Sequence, residues 1–186
     1  MTHSNHGYTE PYAHIIAFYA PTWKEASTFT SKISWLSAWF TQGNYSHIGL
    51  LLDHDHLFHA YWYTRLQNIE DIIAKTSWKR YDLYRITDHT YDHHKAIKIA
   101  VSLLGRPYDL RRYFGIVMHN ITRIFGKKYN KKHDWKSAYV CHEYVKRVIT
   151  QAGARAKNAD KTYSSPNELL NNFNVEFVCS SSRLTK

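Results

Sequence analysis

Residues 134–153 read DWKSAYVCHEYVKRVITQAG, and this stretch decides the fold because it predicts a helix with a cysteine in its first turn. Asp134 or Ser137 is a candidate N-cap, and Gly153 suits the left-handed position that follows many helices. Apolar residues recur at spacings of four, three and four along one helical face, as Cys141, Val145, Val148 and Ala152. We expect this face to bury against the rest of the chain, with the thiol on the core side.

The position of Cys141 has a chemical consequence. Unpaired N–H groups and the positive end of the helix dipole lower the pKa of a thiol in a first helical turn, and the same groups can hold an oxyanion. On this ground we expect a reactive thiolate with a lowered pKa. The alternative is an inert buried thiol, which is common for a single free cysteine.

The composition indicates one domain over residues 1–186, large enough to bury a core. No stretch is long and apolar enough to span a bilayer, and the first residues lack the basic and apolar parts of a secretory signal. We therefore expect a soluble protein, cytoplasmic or carried by a virion or secretion apparatus. Cys141 and Cys179 are expected to be free thiols. The net charge of +10 favours an anionic polymer or a membrane surface as a partner.

Apolar runs and helical periodicity divide the chain into alternating elements. Strands are predicted at residues 14–19, 47–52, 57–62, 81–86 and 175–179, and helices at 30–40, 69–75, 88–104 and from 165 onward. The strands on either side of residues 53–56 form a predicted β-hairpin, and Asp88 is the predicted cap of the helix at 88–104. Its predicted buried face consists of Ala96, Ile97, Ala100, Val101 and Leu104. Together these elements predict an α+β fold with an antiparallel sheet.

Residues 110–136 form a basic, aromatic insertion in this pattern. Its first half is predicted to be an amphipathic helix and its second half a basic loop near the thiol. An ordinary surface helix followed by a solvated loop is the alternative. Lys127 and Lys128 in this loop, together with Tyr45, are the candidate substrate-binding residues.

A cysteine nucleophile needs a base, a group that orients the base, and donors for the oxyanion. His47 begins a predicted strand and is followed by the small residue Gly49, which suits a histidine presented at a sheet edge. His59 lies on the partner strand of the same hairpin, within reach of the ring of His47. We therefore expect Cys141, His47 and His59 to converge as nucleophile, base and orienting residue.

Two other uses of polar residues compete with this interpretation. Histidines also cluster at 54–59 and 89–94, but neither group has a recognised ligand spacing, so no metal and no other cofactor are predicted. The chain shows no helix-turn-helix, zinc-finger or RNP pattern, so no specific binding of nucleic acid is predicted.

Four groups of short motifs resemble a known family in their residues and in their order. Through them the sequence is similar to the circularly permuted NlpC-type papain-like cysteine hydrolases, in particular the YiiX-like branch. The lecithin retinol acyltransferase-like proteins share the same order of His, His and Cys. The motifs are His47-x-Gly49-Leu50-Leu51 with Phe58-His59-Ala60, then Gly105-x-Pro107-Tyr108-Asp109, then Tyr139-Val140-Cys141-x-Glu143-Tyr144-Val145, and Ser165-Pro166-x-x-Leu169.

The resemblance covers residues from about 14 to 178 and implies a permuted papain-like fold, with the antiparallel sheet packed against the cysteine helix. It implies that Cys141 is the nucleophile, His47 the base and His59 the third polar residue. It also implies that Tyr108 closes the site near the oxyanion.

The identity of residue 59 bears on the substrate that the resemblance implies. YiiX-like members usually have Glu where His59 stands, whereas the ordinary murein-cleaving NlpC enzymes have His. We therefore predict cleavage of an amide bond in a peptidoglycan peptide. A lipid-directed acyltransferase or thioesterase of the same fold is one alternative, favoured if residues 113–125 form a helix with an exposed apolar face. A non-catalytic structural or assembly module, for example a virion-associated one, is the other.

Overall fold

The computed structural model describes residues 13–111, 113, 115, 138–159 and 165–181. Within these residues the fold is α+β, with a six-stranded antiparallel sheet and five helices. The strands are β1 (Ile15–Tyr19), β2 (Tyr45–Leu51), β3 (His56–Ala60), β4 (Thr64–Asn68), β5 (Tyr81–Ile86) and β6 (Val175–Ser180). The helices are α1 (Phe29–Thr41), α2 (Ile69–Lys75), α3 (His93–Ser102), α4 (Cys141–Gln151) and α5 (Pro166–Asn172). The strand order is β4-β3-β2-β1-β5-β6.

The predicted hairpin is confirmed, since β2 and β3 pair antiparallel with Gly49 opposite His59. The sequence did not predict β4, which pairs with β3 and sets Arg65 opposite His59. The residues of β4, TRLQN, contain a single large apolar side chain, so neither an apolar run nor an alternating pattern marks it as a strand.

A separate apolar cluster covers each face of the sheet. On one face Ile48, Leu50 and Phe58 pack with the buried residues of α4. On the other face Leu51 and Leu57 pack with further apolar residues that include Phe18, Ile72 and Trp78. Because side chains alternate along a strand, His47 lies on the Trp78 face and its neighbour Ile48 lies on the α4 face.

Helix α4 carries the predicted cysteine at its first position. All four residues of the predicted apolar face are buried, and Gly153 has the predicted positive φ, of 108°. The N-cap is Val140, whose extended backbone makes no side-chain cap bond. A bridge between Tyr139 and Tyr108 keeps the chain extended up to this point, so the helix starts later than predicted. The candidate caps at 134 and 137 lie outside the described residues.

Helix α3 begins at His93, and its cap is Asp92 rather than the predicted Asp88. The carboxylate of Asp88 instead accepts hydrogen bonds from the backbone N–H groups of Thr90 and Arg155. Since α3 ends at Ser102, its buried face does not extend as far as predicted. Ala96 and Ala100 are buried as expected and Ile97 is half-buried, whereas Val101 and Leu104 are exposed.

Most of the predicted insertion, including Lys127 and Lys128, lies outside the described residues. Tyr113 is described, and its hydroxyl donates to the backbone oxygen of Ile33 in α1 at 3.3 Å. In the part of the chain that the structure covers, no helix combines the length and apolar character needed to cross a bilayer.

Gly49 leaves room for His59 between β2 and β3. A Cβ at Gly49 would collide with the side chain of Leu57 and lie 3.3 Å from His59 Cβ. We expect Gly49→Ala to lower the free energy of unfolding by about 1–3 kcal/mol, because overpacking a tight site forces its neighbours to shift. Urea unfolding measures the change. Gly115→Ala is the matched control, since no described atom lies within 4 Å of a Cβ there; equal losses in both variants would contradict this explanation.

Candidate active site

The thiol of Cys141 lies at the start of α4 against the sheet. Cys141 is 5% exposed and belongs to the same apolar cluster as Ile48 and Leu50. The backbone N–H groups of Ile48, of His142 and of Cys141 itself donate toward its sulfur. The paired residues of β2 and β3 begin at Gly49, which leaves the N–H of Ile48 available to the sulfur. The thiol therefore lies beside the peptide group that joins His47 to Ile48, whereas the ring of His47 packs on the Trp78 face of the sheet.

His47 and His59 form a buried hydrogen-bonded pair. Their Nε2 and Nδ1 atoms are 2.8 Å apart, and the two residues are 3% and 0% exposed. The predicted contact across the hairpin is present. The ring of His47 also stacks on Trp78, with ring centres 4.0 Å apart and planes 5° apart, which fixes its orientation.

Two side chains of β4 complete the surroundings of His59. Gln67 Oε1 and Arg65 Nε each lie 3.3 Å from the same atom, His59 Nε2. The guanidinium of Arg65 is held over the rings of Tyr61 and Tyr63, at 5.6 and 5.5 Å. Sequence reasoning missed Arg65 and Gln67, as it missed Trp78, because only the strand register and the loop before β5 bring them to the histidines.

Burial disfavours a charge on the two histidines and on the thiol. It lowers the pKa of His47 well below its ordinary value and that of His59 to about 3, and the charge of Arg65 adds to both effects. Burial also raises the pKa of the Cys141 thiol to about 12, because it outweighs the three N–H donors that act in the opposite direction. The expectation of a lowered thiol pKa was therefore wrong for the resting protein.

Chemistry that uses the thiolate of Cys141 needs a group that takes its proton, because burial disfavours the charged form. His47 Nε2 is engaged by His59, whereas Nδ1 has no hydrogen-bond partner among the described residues. The described residues show no hydrogen bond between the side chains of His47 and Cys141, so the predicted convergence of the thiol with the histidine pair stays a prediction.

Tyr108 is held beside the start of α4 by backbone contacts. Its N–H donates to the oxygen of Trp62, and the residues on either side of it bond to Tyr139. Burial raises the pKa of Tyr108 well above its ordinary value, and the nearby Cys141 thiolate adds to the shift. The thiolate has the same effect on the pKa of Tyr113. Two tyrosine hydroxyls therefore lie in the electrostatic surroundings of the sulfur.

Tyr45 is buried, and its hydroxyl is already engaged. It bonds to the carboxylate of Asp82 and lies 2.6 Å from the hydroxyl of Tyr84. Its ring packs in the same cluster as Cys141. A substrate-binding role for Tyr45 stays a prediction, and it would have to use the ring rather than the hydroxyl.

A pocket of about 350 Å³ opens on the face of the sheet that carries His47. Trp78 and Tyr61 form one side of it, and both rings contact the ring of His47. Apart from Ala74, the remainder of its lining is polar and consists of Glu25, Ser27, Thr28, Ser31, Ser34, Lys75, Thr76, Ser77 and Lys79.

The histidine groups in the sequence do not form a ligand set. Among the described residues, no three His, Cys, Asp or Glu side chains come together as possible metal ligands. His59 is buried against His47, while His54 and Asp55 are exposed in the turn between β2 and β3. The facing nitrogens of the histidine pair are at hydrogen-bonding distance and engage each other.

Comparison with known proteins gives one line of evidence. No protein-family model matches the chain, and no curated protein matches it significantly. Among solved structures it is similar to one described as the metalloprotein YiiX from Escherichia coli O157:H7, DUF1105, with a TM-score of 0.50 and 19% sequence identity. The match covers 93% of this chain and 91% of that one. At such low identity the likeness concerns the fold alone, and the chain therefore has a YiiX-like α+β fold.

Proposed function

We propose that the protein is a cysteine hydrolase of the permuted NlpC type, which cleaves an acyl bond through Cys141. One observation carries this proposal: a thiol in the first turn of a helix lies beside the peptide group that joins His47 to Ile48, and the imidazole of His47 is hydrogen-bonded to His59 at 2.8 Å. A nucleophile, a base and an orienting group in this arrangement have the logic of a catalytic triad.

The proposed reaction has two halves. The thiol proton passes to His47 Nδ1 as the sulfur bonds to the substrate carbonyl carbon. His47 then gives the proton to the leaving amine, which departs and leaves an acyl group on Cys141. A water molecule, activated by His47, attacks this thioester, releases the carboxylic acid and restores the thiol.

The start of α4 supplies charge stabilisation for the oxyanion in this proposal. Backbone N–H groups already surround the sulfur, and the first N–H groups of a helix have no partner within it. Tyr108, whose titration is coupled to the thiolate, is the residue that we propose closes the site beside the oxyanion.

For the substrate, we propose a peptide amide, with a peptidoglycan peptide as the first choice. The pocket behind Trp78 is lined by neither Cys141 nor the histidine pair, but its hydroxyl groups and charges of both signs would suit the polar flank of a peptide. The net charge of +10 suits a substrate embedded in anionic wall polymer.

A lipid acyl substrate is the second candidate, and a different observation favours it. Trp62, Tyr63 and Leu110 are exposed. Leu110 follows Tyr108 by two residues, and the N–H of Tyr108 donates to the backbone oxygen of Trp62, the residue before Tyr63. Exposed aromatic and apolar side chains beside a site suit a membrane interface. Most of residues 113–125, for which an exposed apolar face would favour the lipid substrate, lie outside the described residues.

The deciding experiment is incubation of the purified protein with murein peptide fragments and, separately, with phospholipid vesicles. Mass spectrometry follows released amines and fatty acids, and Cys141→Ser is the control. We expect new amines from the murein fragments with the natural protein only. Fatty acid release with intact murein fragments would replace the peptide substrate by the lipid one. Equal release by Cys141→Ser would show that Cys141 is not the nucleophile, and release of neither product, with Cys141 unreactive, would leave a non-catalytic module.

A further inference from the structure

Two side chains compete for one atom at the outer end of the histidine pair. Arg65 Nε and Gln67 Oε1 are both 3.3 Å from His59 Nε2. Arg65 is a donor only, whereas the oxygen of Gln67 is an acceptor only. A neutral imidazole nitrogen carries either a proton or a lone pair, so His59 Nε2 can satisfy one of these neighbours at a time.

If Arg65 donates to His59, the proton of His59 must be on Nδ1. That nitrogen then donates to His47 Nε2, and the proton of His47 is on Nδ1. In this tautomer the nitrogen left for the thiol already carries a hydrogen. His47 cannot accept the proton of Cys141.

If His59 instead donates from Nε2 to Gln67, the hydrogen bond between His59 and His47 reverses its direction. His59 Nδ1 accepts from His47 Nε2, and His47 Nδ1 is left with a lone pair. Protonated His47 also fits this form, because both of its nitrogens then donate, as an imidazolium requires. The ion pair that follows proton transfer from Cys141 is therefore compatible with the Gln67 contact and incompatible with the Arg65 contact.

We propose that Gln67 and Arg65 are positioning residues that set the tautomer of His47 in opposite directions. Gln67 holds the form that accepts the proton of Cys141, and Arg65 holds the form that blocks it. This inference rests on the proposed function, because the tautomer matters for turnover only if Cys141 passes its proton to His47.

The charges around the site act in addition to the hydrogen bonds. Arg65 on β4 disfavours a positive charge on both histidines, and Glu143 in the first turn of α4 disfavours the thiolate of Cys141. Tyr108 and Tyr113 are coupled to the same thiolate. Removing Arg65 therefore eliminates both the blocking donor and the unfavourable charge.

The first measurement reads the tautomer directly and needs no substrate. Nitrogen-15 NMR of histidine-labelled protein distinguishes a protonated from an unprotonated Nδ1 in His47. We expect Arg65→Met to raise the fraction of His47 with a bare Nδ1 and Gln67→Leu to lower it. Gln67→Glu keeps an acceptor at the same place, so its fraction of His47 with a bare Nδ1 should equal or exceed that of the natural protein. Failure of the Met and Leu variants to move the tautomer in opposite directions would overturn the assignment.

The second measurement is the rate at which iodoacetamide alkylates Cys141 between pH 6 and 9, with Cys179 as an internal reference. The sulfur displaces iodide, and its proton goes to His47. We expect a roughly fivefold rise in Arg65→Met and a roughly fivefold fall in Gln67→Leu, the size of one net hydrogen bond. Gln67→Glu should restore the rate. A change of the same sign in the Met and Leu variants would contradict the proposal.

Matched controls separate these effects from general destabilisation. Arg80→Met removes another arginine held over a tyrosine ring, that of Tyr19 at 5.4 Å, and Gln151→Leu changes an exposed glutamine at the end of α4. Both should leave the tautomer and the alkylation rate unchanged. Opposite tautomer shifts without any change in alkylation would support the roles of Arg65 and Gln67 in setting the tautomer. The same result would count against His47 as the base, and so against the proposed function.

Discussion

Replacing His47 by alanine is expected to reduce acylation of Cys141 about 1000-fold, while His59→Ala is expected to reduce it about 10- to 100-fold. The thiol has a raised pKa, and under the proposed function His47 is the group that takes its proton, so the variant lacks the base. His59 acts only through the ring of His47, which Trp78 also holds in place by stacking. Its loss therefore costs less than the loss of the base.

The measurement is the burst of p-nitrophenol from an activated acyl ester, which reports acylation without knowledge of the natural substrate. Circular dichroism establishes that each variant is folded. His94→Ala is the matched control, because His94 is exposed on α3 and belongs to neither face of the sheet near the site. If His47→Ala retains more than about a tenth of the burst rate, His47 is not the base.

The sequence was sufficient for those parts of the fold that have a strong local signal. The hairpin of β2 and β3 has two apolar runs around a polar turn, and α4 has an uninterrupted apolar face ended by Gly153. Helix α5 has Ser165 as its cap and Pro166 at its first position, as predicted. In each case the local preference and the final packing agree, which is why the pattern can be interpreted without a structure.

The parts that sequence reasoning missed depend on pairing between strands. Strand β4 has no apolar pattern, and it becomes a strand because the edge of β3 offers hydrogen bonds to it. Arg65 lies directly opposite His59, and Gln67 lies two residues further along, at the diagonal position that still reaches the same side chain. Contacts of this kind are set by register, and no spacing within one strand reveals them.

The thiol illustrates a different limit. A helix start predicts N–H donors and a lowered pKa, and the structure contains those donors. How deeply the start of a helix is buried depends on the sheet that covers it, here the strand carrying Ile48 and Leu50. Desolvation of the thiolate is the larger effect, and it reverses the sign of the shift.

The buried histidines predict a marked loss of stability in acid. Burial holds the pKa of His14 at about 4 and that of His59 at about 3, below the ordinary value of 6.5. Because these pKa values are lowered in the folded state, their contribution to stability is complete above pH 6.5 and is lost as the pH falls. Between pH 7 and pH 4.5 His59 should cost about 2 kcal/mol and the partly exposed His14 about 1 kcal/mol after allowance for solvent screening, and His47 acts in the same direction.

A loss of about 3 kcal/mol or more is a large part of the free energy of unfolding of a domain of ordinary stability. Urea unfolding at pH 7 and pH 4.5, followed by tryptophan fluorescence, measures it. His14→Gln should shrink the difference between the two pH values by about 1 kcal/mol, because it removes one of the titrating groups and leaves the histidine pair intact. His94→Gln should leave the difference unchanged, since that histidine is exposed. A natural protein that loses less than about 1 kcal/mol over this interval would show that the histidine pair is not held neutral, and proton transfer from Cys141 would then start from a different charge state.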